Sequence, residues 1–300
     1  MAEIGRLLTA MVTPFTTTGE VDYVRAREIS KKIIKNGSDG LVIGGTTGEA
    51  PSMSDEEKLN LYKEVKDAIG DEGTVIAGTT DNNTRKSVEL SISAEKLGVD
   101  ALLLTVPAYN KPTQGGLIEH FKEIAGSVKI PGILYNVPSR TALNMDLDTT
   151  LELSEIPNII GTKEASSDAD QINYIIKNVS DSFKVWSGND NETFSIISAG
   201  GYGVVSVAGN LISAQVKHLI GLILEGNIEL AAKEHLRLLP LFNALFFITN
   251  PIPVRYAMNR CGLNVGSGRL PMIPSDDELQ LFAKKFDPVM DEYDIDVQVG

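Results

Sequence analysis

The chain has 300 residues, 42% of them hydrophobic and 22% charged, with a formal net charge of −13. That length suits one α/β barrel plus an extension, since such barrels run to about 250 residues. The acidic balance excludes the basic face that binding to nucleic acid or to an anionic membrane surface requires, and it obliges any anionic substrate to find locally placed donors.

The first residues, Met1 to Gly5, lack a basic region followed by a long apolar stretch, so no signal peptide is expected. No run of about 18 apolar residues occurs, so no transmembrane helix is expected. The single cysteine, Cys261, cannot form an intrachain disulfide, which suits a reducing cytoplasm.

Short apolar runs alternate with amphipathic ones along the chain. Leu7–Val12 reads as a first strand, followed by a helical pattern over Tyr23–Asn36. Gly40–Gly44 is the second strand, and Ser54 with Glu57 forms a capping-box signature that opens a helix to Ile69. Strands over Thr74–Gly78 and Ala101–Thr105 precede helical patterns over Thr84–Leu97 and Gly115–Ser127. Gly132–Asn136, Ile159–Lys163, Phe183–Ser187 and Gly203–Val207 complete eight strands. Continuous apolar runs of this kind suit strands buried on both faces of a parallel sheet. A doubly wound sheet competes, but no Gly-x-Gly-x-x-Gly follows the first strand. The fold class is therefore α/β, a (β/α)8 TIM barrel over residues 1–225. A helix near Ala214–Leu224 closes it, and residues 226–300 form a C-terminal helical extension. Ile228–Leu245, Ile252–Cys261 and Ser275–Phe286 are its helices, with Pro251 and Pro253 marking a break.

Active sites of such barrels lie at the C-terminal ends of the strands. Lys163 ends the sixth strand, and alternation puts it on one face with Ile159 and Gly161. If that face is the barrel interior, burial lowers the lysine pKa and frees a neutral amine to form an imine with a ketone, while Gly161 leaves room for the long stem. The alternative is a lysine pointing outward into water. Tyr135 ends the neighbouring strand on the face of Ile133, about 4.8 Å away in the hydrogen-bonding direction. There it could carry the protons that imine formation moves, with Thr47 and Tyr109 as relay hydroxyls; a core tyrosine with one hydrogen bond is the plainer reading. The turn Gly44–Glu49 offers successive N–H groups and the Thr46 and Thr47 hydroxyls to an anion, or is only a tight connection. Arg140, just past Pro138, is either a carboxylate clamp or a surface arginine. His120, His218 and His235 fall in predicted helices without metal-ligand spacing, and no metal site is expected.

Three stretches, Gly44–Glu49, Tyr135–Thr141 and Gly161–Ala165, together with Asn250–Tyr256, resemble the pyruvate-dependent class I aldolase family, to which N-acetylneuraminate lyase belongs. The resemblance runs from Thr13-Pro14-Phe15 to the C-terminal helices; each stretch alone is a weak sign, and jointly they are specific. It implies that Lys163 forms an imine with pyruvate and that Tyr135 shuttles protons, helped by Thr47 and by a Tyr109 from a neighbouring subunit. It also implies that Thr46 and Thr47 hold the pyruvate carboxylate, and that Gly188 and Val205 line the pocket through their backbone. Sugar-acid lyases of the family usually lack an arginine after Tyr-x-x-Pro. Arg140 thus favours L-aspartate 4-semialdehyde as the second substrate and the first committed step of the diaminopimelate and lysine pathway. The resemblance further implies no cofactor, a homotetramer and a cytoplasmic enzyme. A catalytically silent barrel is the competing class of reading, and it would be free to lose Lys163, Tyr135 and Thr47. Many relatives bind lysine as an inhibitor at positions matching Ala50, Pro51, Asp55, Lys58, Asn82, Lys86 and Ala108. Here Ala108 replaces the usual aromatic and Lys86 brings a positive charge, so weak or absent inhibition is expected.

Overall fold

A computed structural model of the chain describes residues 4–292. Eight parallel strands close into a barrel in sequence order, and the eighth pairs with the first. They are β1 (Leu7–Ala10), β2 (Gly40–Ile43), β3 (Thr74–Gly78), β4 (Ala101–Thr105), β5 (Gly132–Asn136), β6 (Ile159–Glu164), β7 (Lys184–Ser187) and β8 (Gly203–Ser206). Nearly every strand residue is buried, as the unbroken apolar runs require.

The helices of the shell are α1 (Tyr23–Lys35), α2 (Asp55–Ile69), α3 (Thr84–Lys96), α4 (Gln114–Gly126), α5 (Pro138–Thr141), α6 (Leu147–Ser154), α7 (Ala169–Asn178), α8 (Thr193–Ser198) and α9 (Gly209–Leu224). The capping box of α2 is formed: Ser54 Oγ accepts from the Glu57 N–H at 3.1 Å, and Glu57 Oε2 accepts from the Ser54 N–H at 2.9 Å. The last helix of the shell begins five residues before the predicted Ala214, with a kink at Ile212 separating the two parts.

Three more helices follow: α10 (Ile228–Ala244), α11 (Ile252–Arg260) and α12 (Asp276–Glu292). The expected break at Pro251 and Pro253 falls between α10 and α11. Ser275 and Glu278 exchange the hydrogen bonds of a second capping box at the start of α12. Leu238, Phe242, Val254 and Met258 from this region join Val216 and Leu219 of α9 in one apolar cluster, so the extension is packed onto the barrel. Residues 293–300 of the expected extension lie outside the described residues.

The core has two layers. The larger lies between strands and helices; the smaller fills the barrel with Leu8, Val42, Ile76, Leu103, Ile133, Tyr135, Trp186 and Val205. Two expectations for β6 need correction. The register against β5 shifts by one residue between Gly132 and Ile133. Ile159 therefore belongs to the outer layer while Ile160 packs against the inner one, and Ile159 does not share the face of Lys163. Nor does Gly161 make room for the lysine stem. A Cβ there would meet the Lys184 carbonyl at 2.2 Å and the Trp186 ring at 2.6 Å, so the glycine accommodates β7.

Candidate active site

The β5–β6 register sets Tyr135 directly beside Lys163. Both point into the barrel mouth, and the Lys163 Nζ lies 4.0 Å from the centre of the Tyr135 ring. Lys163 is 5% exposed, so its solvated alternative does not hold. Burial pushes its pKa down to about 7; the buried Asp190 carboxylate works against that shift and the Arg140 guanidinium adds to it. Burial pushes the Tyr135 phenol up to about 12, opposed by the charge of Arg140 and a hydrogen bond with Thr46.

These two residues line a cavity of about 140 Å³ with Thr46, Thr47, Val137, Ser139, Arg140, Gly188, Asn189, Val207, Phe246 and Asn250. The turn after β2 supplies one of its walls. Gly44 has φ +65, and a Cβ there would meet the Tyr62 hydroxyl at 2.8 Å, so only glycine closes this turn. Among the described residues, the N–H groups of Thr46 and Thr47 make no hydrogen bond within the protein, which leaves them to a ligand. Glu49 anchors the turn from behind. Its carboxylate accepts from Arg255 Nη2 of α11 at 2.6 Å and from the Arg269 N–H at 3.0 Å.

Arg140 stands at the mouth on α5. It lines both this cavity and an adjoining one of about 300 Å³ bounded by Ala50, Pro51, Asn82 and Ala108. The larger cavity lacks Lys163, so only a ligand in the smaller one reaches its amine. Gly188 lines the cavity as expected. Its N–H is engaged by the Glu164 carbonyl at 2.5 Å, and a Cβ would strike Ala165 at 2.6 Å. Val205 sits within the inner core, and the cavity wall on that side is Val207. Tyr109 lines neither cavity; it is 91% exposed on the loop after β4, with φ +74. His120 and His235 pack against Phe121 and Phe194, and the described residues contain no cluster of His, Cys, Asp and Glu able to hold a metal.

Sequence reasoning missed three groups. Asn250 joins the site from the extension, donating from Nδ2 to Thr47 Oγ1 at 2.9 Å. Asp190 accepts from the N–H groups of Val207 and Ala208 at 2.9 and 3.0 Å and from the Ser206 hydroxyl. Glu164 lies behind Lys163, fully buried; burial pushes its carboxyl up to about 7, against hydrogen bonds from Ser166 and Asn136. The adjacency of Asp190 to Gly188 at a strand end was a usable sign. No local sign marked Asn250 as a cavity residue.

The model of the dihydrodipicolinate synthetase family matches residues 3–286. The chain belongs to this family. A 4-hydroxy-tetrahydrodipicolinate synthase of Dehalococcoides mccartyi is 52% identical over 278 residues, covering 93% of this chain and 94% of the relative. The crystal structure of a Bacillus anthracis dihydrodipicolinate synthase superposes with a TM-score of 0.93 at 40% identity, covering 97% of this chain and 99% of that one. A monomeric dihydrodipicolinate synthase variant matches with a TM-score of 0.93 at 36% identity, covering 97% of both chains. The family membership and the closed barrel agree with the resemblance read from the strand ends.

Proposed function

We propose that the chain condenses pyruvate with L-aspartate 4-semialdehyde to 4-hydroxy-tetrahydrodipicolinate, the first committed step of the diaminopimelate and lysine pathway. The observation that carries the reading is Lys163: a buried amine with its pKa near 7, facing Tyr135 and sharing a small cavity with Arg140. At neutral pH a substantial fraction of that amine is unprotonated and nucleophilic.

The neutral Lys163 amine attacks the keto carbon of pyruvate. The carbinolamine hydroxyl leaves as water once it is protonated, giving the iminium on Lys163, and Tyr135 is the group placed to deliver that proton. The free N–H groups and hydroxyls of the Thr46–Thr47 turn hold the pyruvate carboxylate. Loss of a methyl proton turns the iminium into an enamine, with the lysine nitrogen as electron sink and no cofactor required. The enamine carbon adds to the aldehyde of the second substrate, whose carboxylate Arg140 binds at the mouth. The amino group of that substrate then attacks the imine carbon, closes the ring and releases Lys163. Gly188 shapes the pocket wall beside the imine, with Val205 in the packing beneath.

The phenol of Tyr135 is costly to ionise at a pKa near 12. A relay through the Thr46 hydroxyl, the hydrogen-bond partner of the Tyr135 phenol, and a Tyr109 from a neighbouring copy lowers that cost; Thr47, expected in that place, is bonded to Asn250 instead. This reading makes the working form a homotetramer. The exposure of Tyr109 in one chain supports it. None of the described helices is long and apolar enough to cross a membrane, and a cytoplasmic location fits the lone cysteine. The direct test offers the purified protein pyruvate with L-aspartate 4-semialdehyde, and separately with N-acetylmannosamine. Turnover of the amino-acid aldehyde alone supports the reading; preference for the sugar overturns it.

A further inference from the structure

Asn250 occupies the connection between α10 and α11, 4% exposed, far in sequence from the strand ends it touches. Its side-chain Nδ2 donates to Thr47 Oγ1 at 2.9 Å, and its backbone carbonyl accepts from Arg140 Nη2 at 3.1 Å. It therefore bonds to both loops that carry anion-binding groups, one after β2 and one after β5. It also lines the cavity that holds Lys163 and Tyr135.

The direction of the first bond has a chemical consequence. A threonine hydroxyl owns one proton and two acceptor lone pairs. With one lone pair of Thr47 filled by an amide N–H, its proton is left to donate elsewhere, and the cavity is beside it. An acceptor in place of Nδ2 would draw that proton away from the cavity. The second bond fixes the outward reach of Arg140, while the remaining guanidinium N–H groups stay available for a bidentate carboxylate clamp.

We propose that Asn250 is a positioning residue for the condensation: it aims the Thr47 proton at the pyruvate carboxylate and seats Arg140 for the second carboxylate. This rests on the reading that Thr47 and Arg140 bind the two substrates. The C-terminal extension then completes the active site as well as packing on the barrel. The Oδ1 of Asn250 is buried without a protein partner. A buried polar atom without a partner calls for a physical explanation, and a role at the site is one.

The test compares Asn250→Asp, Asn250→Ala, Thr47→Val and the double variant Thr47→Val/Asn250→Ala. In Asn250→Asp an acceptor replaces the donor at nearly constant shape. We expect the KM for pyruvate to rise on the order of 10²-fold, with kcat lowered far less. Asn250→Ala should raise the KM for both substrates about tenfold. Its effect on pyruvate should disappear in the Thr47→Val background, because the two residues act through one hydrogen bond. Equal losses in kcat and kcat/KM, or additive effects in the double variant, overturn the proposal. If Asn250→Asp does not fold, the alanine cycle decides alone. Borohydride trapping of pyruvate on the wild-type enzyme separates the two levels: no adduct on Lys163 defeats the underlying reading. An adduct whose pyruvate dependence is the same in Asn250→Asp and wild type defeats the role of Asn250.

Discussion

Lys163 and Tyr135 share one environment and respond to it in opposite directions. Burial disfavours the charged form of each, so the lysine pKa falls and the tyrosine pKa rises. With Lys163 brought to about 7, its reactive neutral form grows as pH rises through that value. We predict that kcat/KM for pyruvate climbs through pH 7 on a single ionisation. In Asp190→Asn this limb should move to lower pH, because the carboxylate that favours the ammonium is gone; a limb that stays put in the variant would contradict the electrostatic account. Glu164 titrates the other way round. Its folded pKa near 7 lies above its ordinary 4.5, so the folded state holds a proton that the unfolded chain has lost between those values. Stability contributed by Glu164 should fall as pH rises from about 4.5 to 7, by up to about 3 kcal/mol, and Glu164→Gln should make the slope across that range shallower in denaturation measurements, with the raised Asp190 carboxyl leaving a remainder. The gathering of Lys163, Tyr135, Thr46, Thr47 and Arg140 around one cavity was legible because all five end strands or open strand-end loops, where barrel sites lie. Asn250 was not, since its place in the cavity depends on how the extension docks.

Elements set the precision of that site. The strands could be read nearly to the residue, because each is an apolar run bounded by Gly, Asp, Asn or Pro. The one-residue register shift between β5 and β6 left no trace in composition, and so Ile159 was assigned to the wrong face. The helices α5 to α8 span only four to ten residues, too few turns to show a clear 3.6-residue period, and were not singled out. The turn after β2 is held by an ion pair between Glu49 and Arg255, both almost fully buried. Removing one partner leaves the other charge uncompensated. Arg255→Met should therefore cost about 3–5 kcal/mol of stability. Ser54→Ala, which removes an exposed cap, should cost about 1 kcal/mol. Chemical denaturation of both variants checks the contrast; equal costs would mean that the buried pair does not anchor the turn.

At the scale of the whole molecule, the barrel brings loops from distant parts of the chain to one mouth, and one group of the proposed relay stays outside it. Tyr109 is almost fully exposed and lines neither cavity. Tyr109→Phe should lower kcat more than it raises the KM for pyruvate, and activity per chain should fall when dilution separates the copies, as followed by mass photometry alongside the assay. A change confined to KM would remove Tyr109 from the relay. The cavity beyond Arg140 is bounded by Ala108, whose small side chain offers a bound lysine no aromatic face. With Lys86 exposed on α3, lysine should inhibit weakly or not at all; strong inhibition at submillimolar lysine would refute this. The claim on which the rest depends is the imine on Lys163, and reduction with borohydride in the presence of pyruvate tests it most directly. A single pyruvate-derived mass is expected on the peptide containing Lys163, and none in Lys163→Ala. No adduct, or an adduct on another lysine, would contradict it.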